Sequence, residues 1–235
     1  MIEMTNWRWS WRGMLFVDTL APLFSMMALS IFARDSGAST LAYVMTGNLV
    51  LALMFGNLDK TCSHFSYMRF MGSLDYYATL PIHKYVLILA AVLAFLLLSL
   101  PSFAVTLLAG LLVLHIPLAP HPLLLLVIPM CAIPLSGIGA LLGSTARSPQ
   151  EAGSLSLLFT FLLTAIGPVI VPPDRLPGVL VAIGRLSPAT YAASALRQSL
   201  LGPVTGQIII DFAALGMAAV LVFWLVARLM DWRVT

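Results

Sequence analysis

The chain is 235 residues long, 60% hydrophobic and only 9% charged, where an average soluble domain is about 45–50% apolar and about 25% charged. No water-soluble fold hides that much apolar surface, so the composition excludes one. The net charge of +3 fits lysines and arginines beside cytoplasmic headgroups and calls for no nucleic-acid partner.

The opening stretch, Trp7-Arg8-Trp9-Ser10-Trp11-Arg12, mixes rings and cations as the headgroup belt does, which predicts an interfacial helix anchored in membrane lipid. Apolar blocks near 20 residues long follow, the length an α-helix needs to cross about 30 Å of hydrocarbon. They are apolar on all sides, unlike the alternating strands of a barrel. The predicted spans are 14–33, 40–57, 85–114, 122–142, 153–171 and 207–228, forming a single all-α transmembrane domain. The first is read as a retained helix, since no small-residue cleavage site follows it. Six spans put both termini on one side. With the ends in the cytoplasm, Arg8, Arg12, Lys60, Arg69, Lys84, Arg147, Arg228 and Arg233 lie inside and Arg34, Arg175, Arg185 and Arg197 outside, the excess that the positive-inside rule requires.

Pro101 predicts a bend in the long third span, as do Pro129 and Pro134 in the fourth and Pro168 in the fifth. Gly139 and Gly143 make a small-xxx-small face, read as close packing within the chain ahead of a subunit interface. Asp18 and Asp211 fall about one turn inside the first and sixth spans, where water reaches them and burial costs less.

Two stretches do not read as ordinary loops. In the cytoplasmic segment 58–84, Tyr67, Phe70, Met71, Leu74 and Tyr77 recur at helical spacing, with Ser66, Arg69, Ser73 and Tyr76 opposite. This predicts an amphipathic helix at the inner surface, either resting on the membrane or gripped by a cytoplasmic partner. The outer segment 172–206 is apolar yet broken by Pro172, Pro173, Pro177, Pro188 and Pro203. Ser187 and Pro188 make a helix start and Gly202 with Pro203 a stop. The helix 188–201 so enclosed is about 20 Å long, too short to cross. With the piece from Pro177 to Ile183 it predicts a re-entrant helical hairpin, with Arg197 positioned to pair with Asp174 or a helix end.

Catalytic patterns are missing. Lys60-Thr61 lacks the glycine frame of a phosphate loop, so ATP is not hydrolysed by that route. His64, His83, His115 and His121 lie in or beside predicted loops without helical pairing, and Cys62 and Cys131 form no metal or disulfide pattern.

The order of surface helix, two spans, long cytoplasmic loop, three spans, broken outer segment and final span resembles the permease subunits of type-2 ATP-binding-cassette exporters. Two local stretches resemble them too. Met71-Gly72-Ser73-Leu74-Asp75-Tyr76-Tyr77-Ala78-Thr79-Leu80-Pro81-Ile82 is similar to the loop after the family's second span, although Asp75 stands where glutamate is usual. Leu186-Ser187-Pro188-Ala189-Thr190-Tyr191, continuing to Ala195-Leu196-Arg197, is similar to its proline and tyrosine stretch leading to Ala-Leu-Arg.

The resemblance implies that separate ATPase subunits bind ATP and Mg²⁺, that this chain holds no cofactor and is not itself an enzyme, and that two permeases pair in a bacterial or archaeal plasma membrane. It places Arg69, Gly72, Asp75, Tyr76, Leu80 and Pro81 at an ATPase-coupling helix, and Pro177, Pro188, Tyr191 and Arg197 in the outer hairpin. The few polar groups in the spans suggest an amphipathic or lipid-like cargo. A non-transporting scaffold that recruits a partner through the same loop is the alternative reading.

Overall fold

The computed structural model describes residues 18–31, 37–73, 77, 79, 84–114 and 119–229. The predicted N-terminal interfacial helix and Leu74, Asp75, Tyr76, Leu80 and Pro81 lie outside the described residues. The described elements are helical: α1 (Asp18–Ile31), α2 (Ala38–Leu53), a π-helical segment (Met54–Asp59), α3 (Lys60–Phe70), α4 (Lys84–Leu114), α5 (Leu124–Thr145), α6 (Pro149–Ala165), a 3₁₀ turn (Pro173–Arg175), α7 (Gly178–Gly184), α8 (Pro188–Leu201) and α9 (Gln207–Leu229). Among the described residues four helices are long and apolar enough to cross a membrane, or five if the bent pair α7 and α8 is one span; α1 is a shorter apolar helix.

The largest correction concerns residues 58–70. The sequence places a loop there, but α2, the π segment and α3 run as one 32-residue helix from Ser39 to Phe70. Polar residues that end an apolar block by hydropathy are satisfied inside the protein instead, so the helix has no reason to stop. Two sides of this helix are distinguished by burial. Phe65 and Met68 point inward and Ser66 is 2% exposed, whereas Tyr67 and Phe70 are 54% and 65% exposed. His64 and Cys62 therefore sit on a helix: His64 meets the edges of the Phe65 and Phe95 rings, and Cys62 is buried. The helix ends at Gly72, whose φ of +69° is a left-handed conformation suited to a residue without Cβ. The Gly72 N–H donates to the Arg69 carbonyl at 3.1 Å and the Met71 N–H to the Tyr67 carbonyl at 2.9 Å, closing the last turn. Gly72→Ala is expected to cost about 1 kcal/mol, measurable as a lower Tm of the detergent-purified chain.

Helix α5 is the hub, packing on α3, the π segment, α4, α6, α8 and α9. Its glycine pair explains the closest approach. A Cβ built on Gly139 would collide with the Leu58 backbone carbonyl, and one on Gly143 with that of Cys62. The small-xxx-small face therefore meets α3 and the segment before it, within this chain. Phe65 and Met68 of α3, Ile88 and Val92 of α4, Ala140 of α5 and Val222 and Val226 of α9 close one apolar core. A larger core joins α2, α5 and α8.

Pro101 is accommodated inside α4, and Pro129 and Pro134 inside α5. Pro168 does not bend a span: α6 stops at Ala165, because Gly167 before a proline is steered away from helical backbone. The start of α6 is fixed by Ser148, whose hydroxyl accepts from the Glu151 N–H at 3.1 Å, while the Glu151 carboxylate accepts from the Arg147 N–H at 2.7 Å.

In the broken segment Ser187 is the N-cap of α8, Pro188 lies in its first turn and Gly202 ends it. The Ser187 hydroxyl makes no cap and donates instead to the Leu163 carbonyl at 3.4 Å. Helices α7 and α8 turn through 88°, an elbow and not an antiparallel hairpin. The Tyr191 hydroxyl donates to the Arg185 carbonyl at 2.7 Å, which staples the corner.

Candidate functional site

Polar side chains gather at three levels along the helices. At the α3 end, Arg69 donates through Nη1 to the Ser144 carbonyl and, at 3.5 Å, to that of Ala146. These carbonyls belong to the last turn of α5 and the residue after it, the pole of a helix that attracts a cation. Arg69 and Gly72, expected together at this end, are brought together here. Towards the middle of the same helix, Lys60 pairs with Asp18 at 3.2 Å, with side chains 19% and 11% exposed, and the Ser156 hydroxyl donates to Asp59. These contacts tie α1 and α6 to the same long helix. Asp18 is thus buried and paired, contrary to the expectation that water reaches it.

In the middle, the π segment carries Asn57, which is fully buried. Its Nδ2 donates to Ser99 Oγ of α4 at 2.9 Å and to the Leu53 carbonyl at 3.0 Å, and its Oδ1 accepts from the Ser136 hydroxyl of α5 at 3.4 Å. One amide thereby links three helices. Sequence reasoning missed Asn57, Ser99 and Ser136; the available signal was a lone amide near the end of an apolar block. π-Helical turns are rare and recur at functional positions in helices.

At the far end, α8 presents consecutive polar residues to two different helices. The Arg197 guanidinium stacks on the Tyr43 ring, 3.4 Å from its centroid, and donates through Nη2 to Thr46 Oγ1 at 3.3 Å, both on α2. Arg197 does not pair with Asp174 as expected, because α8 carries it to the beginning of α2. Gln198 donates to Asp211 Oδ2 of α9 at 3.0 Å and accepts from the Thr205 N–H and hydroxyl at 3.0 and 2.8 Å. Gln207 donates to Asp211 Oδ1 at 3.3 Å. Asp211 is fully buried, again contrary to a water-reached acid. The Arg197 Nε is buried without an acceptor. A cation over an aromatic face gains about 0.5–2 kcal/mol, against about 2.5–3.5 kcal/mol for arginine at membrane depth. The stack alone leaves Arg197 short. The last carbonyls of α8 are satisfied by backbone: Ala119 and His121 N–H groups donate to Leu200 and Ser199 at 2.9 and 2.8 Å.

These arrangements join helices at both ends and the centre of a helical, multi-pass membrane protein. The family model described as ABC-2 type transporter matches residues 4–201, and the chain belongs to that family. It is the permease subunit of an ABC transporter, the membrane part that works with an ABC ATPase subunit. No curated protein matches the chain.

Proposed function

We propose that the chain is the membrane half of an ATP-driven exporter that moves an amphipathic or lipid-like substrate out of the cytoplasm. In this reading two permeases, copies or homologues, pair around a path in a bacterial or archaeal plasma membrane. Six spans leave both termini cytoplasmic, in keeping with the distribution of lysines and arginines. ATP and Mg²⁺ belong to the ATPase partner. That partner engages the end of α3 and the following residues, with Arg69, Gly72, Asp75, Tyr76, Leu80 and Pro81 at or beside the contact. The elbow of α7 and α8, with Pro177, Pro188, Tyr191 and Arg197, shapes the outer half of the path.

The observation that carries this reading is Arg69 bound into the last turn of α5, in a chain matched by the ABC-2 family over 4–201. A push on α3 is then a push on the hub helix. The test is co-reconstitution with the ATPase in liposomes, following ATP hydrolysis and outward movement of a fluorescent phospholipid analogue. Arg69→Ala removes charge-assisted hydrogen bonds and is expected to lower transport per ATP about tenfold, the equivalent of roughly 1.4 kcal/mol, while hydrolysis continues. Wild-type transport per ATP in that variant would sink the coupling role. A stable complex with a partner that shows no ATP hydrolysis would favour a scaffold.

A further inference from the structure

We propose that Arg197, Tyr43 and Thr46 form a binding site for the anionic headgroup, phosphate or carboxylate, of an amphiphile. The guanidinium is held flat against the Tyr43 ring at 3.4 Å, with only one donor placed, on Thr46 at 3.3 Å. Its Nε is buried with no acceptor, while the residue as a whole keeps some exposure. The other charged groups turned into the helices are each answered: Asp18 by Lys60, Asp59 by Ser156, Arg69 by carbonyls and Asp211 by two glutamine amides. Asp211 acts on Arg197 through space, but its oxygens are occupied by Gln198 and Gln207 and it does not reach the guanidinium. A planar fork with a vacant edge, backed by an aromatic ring, suits an oxyanion approached by two N–H groups at once. Val204, before the helix that carries Asp211, and Ile209 and Ile210 in its first turn are exposed apolar side chains. Apolar surface left exposed on a membrane protein is covered by lipid acyl chains, which favours an amphiphile over a free anion.

The test measures binding without transport, so its outcome is independent of whether the protein exports. The purified permease with its ATPase is titrated with short-chain phosphatidylglycerol, or with inorganic phosphate at matched ionic strength, and Tm is followed. Wild type is expected to be stabilised by phosphatidylglycerol, with half-saturation raised at least about tenfold by Arg197→Gln. An effect of inorganic phosphate equal to that of the lipid would identify a free anion as ligand and overturn the amphiphile. Equal stabilisation of wild type and Arg197→Gln, or none in wild type, overturns the site. Should Arg197→Gln fail to fold, Arg197→Lys, which keeps charge without the fork, and Tyr43→Leu, which removes the ring, are each expected to weaken lipid binding. Unchanged binding in both overturns the site equally.

Discussion

Replacing Gly139 or Gly143 with alanine is expected to destabilise the protein by about 3 kcal/mol, the upper end of overpacking penalties, and leucine at either position is expected to prevent stable assembly. Alanine is the better helix former by about 1 kcal/mol, so local propensity alone would forecast a gain. Packing reverses the sign. The obstacle at each position is a backbone carbonyl, Leu58 or Cys62, which cannot rotate away as a side chain would. Relief requires α5 to separate from α3, breaking the Asn57–Ser136 contact and the Arg69 contacts as well. Thermal unfolding of the detergent-purified chain checks this. A Gly143→Ala variant with unchanged Tm would mean that α5 does not lie against α3 so closely.

Lys60→Met is expected to cost about 3 kcal/mol, because breaking a buried ion pair leaves one charge without its partner. With Lys60 gone, Asp18 faces an apolar surround and the nearby charge of Asp59. The double variant Asp18→Leu with Lys60→Met removes both charges and is expected to recover most of the loss, since well-packed apolar pairs replace buried ion pairs at little cost. Tm values of the wild type and three variants form the cycle that measures the coupling. Additive losses would show that Asp18 and Lys60 act separately.

The helical membrane class, the positions of α4, α5 and α9, and the start and stop of α8 were legible in the sequence because each rests on a local signal: an apolar block, or Ser187-Pro188 and Gly202 at a helix boundary. The glycine pair was legible as a packing face but not its partner. Residues 58–70 were misread for a definite reason. Asn57, Asp59, Lys60 and Ser66 lower hydropathy as a loop would, and only the fold supplies Ser99, Ser136, Ser156 and Asp18 to receive three of them. Periodicity found a repeating apolar stripe at Tyr67 and Phe70 but could not say whether it faced protein. The Tyr43–Arg197 stack joins residues 154 positions apart in sequence (197 − 43), and no spacing rule reaches that far.

The π segment has a consequence in counting. A π turn accommodates one residue more than the α turn it replaces, so the stretch from Ala38 to Phe70 is one residue longer than an unbroken α-helix showing the same two faces. The surplus is absorbed between Met54 and Asp59, in the turn that holds Asn57. Without it every side chain beyond would be advanced by about 100° around the axis, and neighbours of Leu58 and Cys62 would be offered to the glycines of α5. That single supernumerary residue sets the phase between the half of the helix that meets Arg197 and the half that carries Arg69.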